Sequence, residues 1–130
     1  MKKINVVGAI VIKDDRILCA QRGETKTLAK LWEFPGGKIE TGETPHEALA
    51  RELREELAID VEIASEKFEE TSYFYDFGLV HLTTFICLMK EGRPQLTEHI
   101  KVKWLKPSDL DSLDWAPADI PAVKKLMKEM

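Results

Sequence analysis

A chain of 130 residues that is 44% hydrophobic and 32% charged is long and apolar enough to bury a core, which excludes disorder. Its net charge of −4, with no dense lysine or arginine run, excludes a nucleic-acid polymer as partner, and phosphates bound here need a cation in between. The longest apolar stretch, residues 6–12, is too short to span a bilayer and no signal-peptide cleavage site follows it, so a cytoplasmic protein without a membrane partner is expected.

Residues 4–13 are β-branched and almost continuously apolar, which predicts a buried strand. Asp14 and Asp15 form a tight turn, and Arg16–Arg22 returns as the hairpin partner. Residues 23–30 are polar and read as a loop. A short aromatic strand, Trp32 to Phe34, is then stopped by Pro35 and the glycines Gly36 and Gly37. Cys19 and Cys87 stand inside apolar runs with no CxxC and no neighbouring His, and are expected as buried, reduced thiols.

The clearest helix is 44–57. Thr44 suits the N-cap, Pro45 the first helical position, and Glu47 completes a capping box. Strands are expected at 61–63, 67–75, 79–89 and 102–105, the middle two joined around Asp76, Phe77 and Gly78. A helical turn at 107–110 and a closing helix at 120–130 complete the chain. With no repeat, low-complexity tract or linker, residues 1–130 read as one α+β domain.

The chemistry concentrates between Gly36 and Ile59. On a helix turning about 100° per residue, Glu52, Glu55 and Glu56 share one sector, beside a sector holding Leu49, Ala50, Leu53 and Leu57. Carboxylates at i, i+3 and i+4 repel one another and add no stability. Two readings compete: a solvated acidic face partly neutralised by Arg51 and Arg54, or a site for a hard cation, since Mg²⁺ takes oxygen ligands and keeps waters that reach phosphates. The glycine turn leading into this helix favours the cation, because glycine lets main-chain carbonyls approach the same ion.

These residues resemble the Nudix box: a glycine, a glutamate after five residues, then after seven Arg-Glu, an apolar residue, any residue, Glu-Glu, any residue, glycine and an apolar residue. Gly37, Glu43, Arg51, Glu52, Leu53, Glu55, Glu56 and Ile59 match. Ala58 stands where the family has glycine, a helix-end residue suited to a left-handed conformation. The substitution removes no ligand and should cost roughly 1 kcal/mol. The resemblance implies a mixed β-sheet sandwiched between α-helices, with Mg²⁺ (Mn²⁺ as substitute) held by Glu52, Glu55 and Glu56 and the carbonyl of Gly37. It implies an Arg51–Glu43 ion pair that fixes the loop to the helix, and catalytic roles for Glu52, Glu55 and Arg51.

Beyond the box, WEFPGGKIE, GETP and RELREEL are similar to the MutT-type nucleoside triphosphate pyrophosphohydrolases, and WAPADIP to their CTP pyrophosphohydrolase subgroup. The resemblance implies hydrolysis of CTP-like or oxidised (d)NTPs to a nucleoside monophosphate and pyrophosphate, with 8-oxo-dGTP hydrolysis as the alternative. Glu98, six residues before Trp104, matches a further metal-binding or basic glutamate. Arg22 resembles a phosphate-side arginine, Lys38 is a substrate-side candidate, and Phe34 would stack on a base. Asp119 occupies the place of a base-contacting asparagine, yet its position before Pro121 also suits an N-cap. An ionised Asp accepts only, which fits an exocyclic amine such as cytosine N4; a protonated one would also read guanine.

For His46 and His81, structure or surface is the expectation rather than catalysis. Core packing is expected for at least half of Trp32, Tyr73, Phe74 and Tyr75. Cleavage of nucleotide sugars needs recognition elements that so short a chain scarcely has room for. A non-catalytic nucleotide sensor would lack box glutamates, and all are present. Monomer and homodimer both remain open.

Overall fold

The computed structural model describes residues 2–24, 26–91, 93–95 and 99–130, with backbone alone at 91, 99 and 100. Strand β1 (Lys3–Lys13) is the spine of the sheet. The Asp14–Asp15 turn follows, both residues at positive φ (52° and 61°), the backbone a two-residue hairpin of this twist requires. β2 (Arg16–Arg22) then leaves β1 after two register pairs and continues against β8 (His99–Leu105) and β3 (Trp32–Glu33).

The edge of β1 that β2 vacates is taken by β4 (Gly36–Lys38), in the register Val6–Lys38, Val7–Gly37 and Gly8–Gly36. The glycines therefore form a short strand of their own, where the sequence had suggested only a stop. On its other side β1 runs parallel to β7 (Gly78–Glu91), from Lys3–Leu79 to Ile12–Leu88. β5 (Asp60–Ile63) and β6 (Glu69–Tyr75) pair antiparallel with β7. The result is a mixed sheet of eight strands among the described residues.

The alternation of side chains along β1 distributes the two helices. Val7, Ala9 and Val11 join Leu49, Leu53 and Leu57 of helix α1 (Pro45–Leu57) in one core, with Ala48 rather than the expected Ala50 on the buried face. Ile10 faces the other way, into a core shared with Trp32, Trp115 and Leu126 of helix α2 (Ile120–Glu129). Each fully buried leucine contributes about 1.5–3 kcal/mol relative to exposure, so the leucine stripe anchors α1 and leaves its carboxylates at the side. The sheet lies between two helices, as the sequence implied.

At the other end of the α2 face, beyond that helix, Ile4 and Val6 lie with Val80, Leu82 and Ala118 in a third apolar group. These same residues line one side of a cavity. Cys19 and Cys87 are buried and unlinked, and burial pushes both thiols up to about 12, leaving them protonated and inert. Among the described residues no helix is long and apolar enough to cross a membrane.

Candidate active site

Helix α1 starts as its sequence dictates. Thr44 accepts the Glu47 main-chain N–H at 3.1 Å, and the Glu47 carboxylate accepts the N–H of Thr44 at 2.9 Å. At its other end Ala58 is left-handed (φ 55°, ψ 38°), donating to the Arg54 carbonyl at 3.1 Å. The chain thus keeps the family's turn at the cost of placing a Cβ in it.

Arg51 organises the acidic face. Its Nε and Nη2 donate to Glu43 at 2.7 and 2.9 Å, its Nη2 also to the Lys38 carbonyl at 3.1 Å. Its Nη1 donates to Glu52 at 2.9 Å and Glu55 at 3.3 Å. One guanidinium therefore ties the loop before the helix, the end of β4 and two helix carboxylates together. The arginine's hydrogen bonds hold the Glu43 carboxyl below the usual carboxylate range. The expected ion pair between loop and helix forms.

Whether this surface suits a divalent cation is answered at Gly37. A Cβ on Gly37 would lie 2.5 Å from Glu52 Cδ and 2.6 Å from Glu52 Oε2, so only glycine admits the carboxylate against the loop's main chain. Carboxylates beside an unshielded backbone form an all-oxygen donor set, which fits a hard cation. Among the described residues no three such side chains converge as a finished cage, and Arg51 Nη1 is bonded to both Glu52 and Glu55. Mg²⁺ does not need one: it is commonly held by one or two carboxylates plus substrate phosphates.

Gly37, Lys38 and Glu56 line a cavity of about 450 Å³, which also takes in Arg22 and Asp119. Asp119 is only 6% exposed. Its Oδ2 accepts the main-chain N–H of Phe34 at 2.9 Å, and it makes no side-chain bond to the head of α2, so the side-chain capping that was its rival role is absent. Segment 114–116 brings it there: Trp32 N–H donates to the Asp114 carbonyl and Ala116 N–H to the Trp32 carbonyl. Burial first, then the charge of Glu33, pushes the Asp119 carboxyl well above the usual range, opposed by the Phe34 N–H and Arg22.

A family model for the NUDIX domain matches residues 2–126. The chain belongs to the Nudix hydrolases. It is 39% identical to the CTP pyrophosphohydrolase of Escherichia coli K12, over 98% of this chain and 93% of that one. It is 37% identical to the 8-oxo-dGTP diphosphatase of the same organism, covering 98% and 99%. A solution structure described as DNA mismatch repair protein MutT, family Nudix hydrolase, from methicillin-resistant Staphylococcus aureus 252, is 53% identical, with a TM-score of 0.81 over 99% of this chain and 98% of that one.

The remaining candidates of this Nudix hydrolase fall as follows. Lys38 is exposed at the cavity rim. Arg22 faces the cavity but spends three donors within the protein, on the Thr27 carbonyl (2.6 Å), Thr27 Oγ1 (3.1 Å) and Glu33 (2.8 Å). Phe34 lines the cavity but is only 3% exposed, its ring 4.8 Å from that of Trp115. Glu98 lies outside the described residues. His46 binds the Ala64 carbonyl and packs on Phe85, while His81 meets Ser72 and Glu70. Trp32 is core and Tyr75 half-buried, whereas Tyr73 and Phe74 are exposed.

Sequence reasoning missed Glu33, which pairs with Arg22 and presses on Asp119. It also missed Tyr75, whose hydroxyl accepts the Ala118 N–H at 2.8 Å. Neither carried a local signal, since Glu33 meets Arg22 only through the pairing of β2 with β3, and Tyr75 and Ala118 are 43 positions apart.

Proposed function

We propose that this Nudix hydrolase acts as a single domain that cleaves nucleoside triphosphates to a nucleoside monophosphate and pyrophosphate, with Mg²⁺ or Mn²⁺ as cofactor. One observation carries the reading: a single cavity joins the Gly37–Glu56 rim, suited to cation-bound phosphates, to a buried carboxylate able to read a base. Glu52, Glu55 and Glu56 with the Gly37 main chain would hold the ion, and Glu98 is a further candidate ligand. When bound, the cation neutralises phosphate oxygens and acidifies water.

The protein's own residues then do the following. Arg51 and Glu43 fix the loop so that the Gly37 backbone stays against Glu52. Lys38, and the donors Arg22 has left, attract the phosphates. Asp119, fixed by Phe34, offers its other oxygen to the base. Ionised, it accepts from an exocyclic amine, which fits CTP- or dCTP-like substrates. The upward push on its carboxyl favours a second reading, in which the protonated acid donates to the carbonyl of an oxidised guanine such as 8-oxo-dGTP.

The test is turnover of a panel of normal and oxidised (d)NTPs in ¹⁸O-labelled water with Mg²⁺. Attack at the β-phosphorus places the label in pyrophosphate. Attack at the α-phosphorus, which gives the same products, places it in the monophosphate; release of orthophosphate and a diphosphate would overturn the proposal.

A further inference from the structure

Phe77 lines the same cavity as Asp119. It stands in the two-residue loop between β6 and β7, whose flanking residues Tyr75 and Gly78 pair. Such loops favour Asn, Asp and Gly, and a large apolar ring there serves no turn chemistry. Phe77 is 42% exposed, yet it is held. Its ring lies 5.1 Å from that of Tyr75 with the planes 6° apart. Tyr75 is in turn fixed by Tyr73, 4.7 Å away, and by the hydrogen bond from Ala118 to its hydroxyl.

The loop is pinned from its other side as well. Gly78 has φ +146°, and a Cβ there would lie 2.7 Å from the Lys2 carbonyl, which accepts the Leu79 N–H at 2.9 Å. A hydrophobic ring is thus kept in water in one orientation. Tyr75 stacks beside it, and 42% of Phe77 still stays exposed. Both rings line the cavity that contains Asp119, and the residue Tyr75 grips, Ala118, is the one before Asp119. Phe34 lines the same cavity but is only 3% exposed, against 42% for Phe77, with its ring 4.8 Å from that of Trp115.

We propose that Phe77, backed by Tyr75, is the stacking wall for the substrate's base, contributing affinity for any nucleotide while Asp119 discriminates among bases. This rests on the nucleotide reading given above. Stacking on an aromatic face tolerates every base because every base has a π-face, whereas a buried hydrogen-bonding group reads only the edge. Two groups on different elements therefore divide affinity and selectivity.

The experiment compares wild type, Phe77→Ala and Phe77→Trp in calorimetric binding of CMP and GMP. It adds kcat and KM for (d)NTPs and for methyl triphosphate, a substrate with no base. Phe77→Ala should weaken both monophosphates and raise KM for the nucleotides about tenfold, with kcat within about twofold; Phe77→Trp should restore both. Methyl triphosphate should be indifferent to the substitution. Unchanged nucleotide affinity in Phe77→Ala overturns the proposal, and so does an equal loss for methyl triphosphate, which would make Phe77 a prop for the site at large. Wild type that binds CMP and GMP through Phe77 but hydrolyses no triphosphate overturns the nucleotide-hydrolysis reading and leaves this one standing. Wild type that binds neither monophosphate and hydrolyses no nucleoside triphosphate overturns both.

Discussion

Oδ2 of Asp119 accepts the main-chain N–H of Phe34 at 2.9 Å, across 85 positions of sequence. The bond fixes one carboxylate oxygen and turns the residue from the helix cap its neighbourhood suggested into a group at the cavity. Asp119→Asn keeps an oxygen for Phe34 but replaces the acceptor-only edge by one that can donate. The ratio of kcat/KM for dCTP to that for 8-oxo-dGTP should fall by a factor equivalent to roughly 1–3 kcal/mol, the value of one buried polar contact. An unchanged ratio in that variant would leave Asp119 as a structural clamp on Phe34 alone.

The two roles that the sequence left open for Asp119 show where legibility ended. Helix α1 was readable because its signals are local: Thr44 and Glu47 cap each other three residues apart, and the leucines recur on one face. The Asp14–Asp15 turn was readable for the same reason. The β4 strand was not, since Gly36–Lys38 becomes a strand only by pairing with Val6–Gly8. Tyr73 and Phe74 sit on β6, which among the described residues pairs with β7 alone, and alternation along a strand cannot say which of its faces is covered. The carboxylate cluster was visible as a pattern; its tethering by one arginine shows only in three dimensions.

Burial of Asp119 also gives stability a pH dependence of definite sign. Its folded carboxyl is raised, so the folded state favours the neutral form. Below the ordinary Asp range, near about 3.9, that contribution is fully present. As pH rises the unfolded chain ionises first, and the contribution is lost progressively until the folded carboxyl ionises too. Asp119→Asn has no such group. The melting temperature of the variant minus that of wild type should therefore grow as pH rises from about 4. A difference that is flat or shrinks with pH would contradict an elevated Asp119.

Ala58 offers a gain in stability. Its left-handed φ of 55° crowds a Cβ that glycine lacks, and the residue is exposed, so no packing is lost on replacement. Ala58→Gly should stabilise by about 0.5–1 kcal/mol after the greater chain entropy of glycine is subtracted. For a domain of this size that raises the melting temperature by about 2–4 °C. The helix already ends correctly, so kcat should stay within about twofold. A fall in melting temperature would mean that the turn is held by contacts to the alanine methyl.

The strongest demand on the metal assignment falls on Glu55. Its side chain is 62% exposed, and its contact with Arg51 is the longer of that arginine's two bonds to the helix carboxylates, 3.3 Å against 2.9 Å to Glu52. A surface pair of that kind contributes little to folding. Crowding with Glu52 and Glu56 opposes even that, so Glu55→Gln should melt within about 2 °C of wild type. If Glu55 only decorates a solvated face, activity should be equally indifferent. If it holds a divalent cation, the amide removes a negative charge from the donor set while keeping its shape, and kcat should drop at least about 10²-fold. Wild type should lose turnover in EDTA and regain it with Mg²⁺ or Mn²⁺, and the variant should need higher Mg²⁺ for half its remaining activity. The two readings thus agree on stability and part on turnover. Near wild-type kcat in a well-folded Glu55→Gln would sink the assignment of this face to the metal.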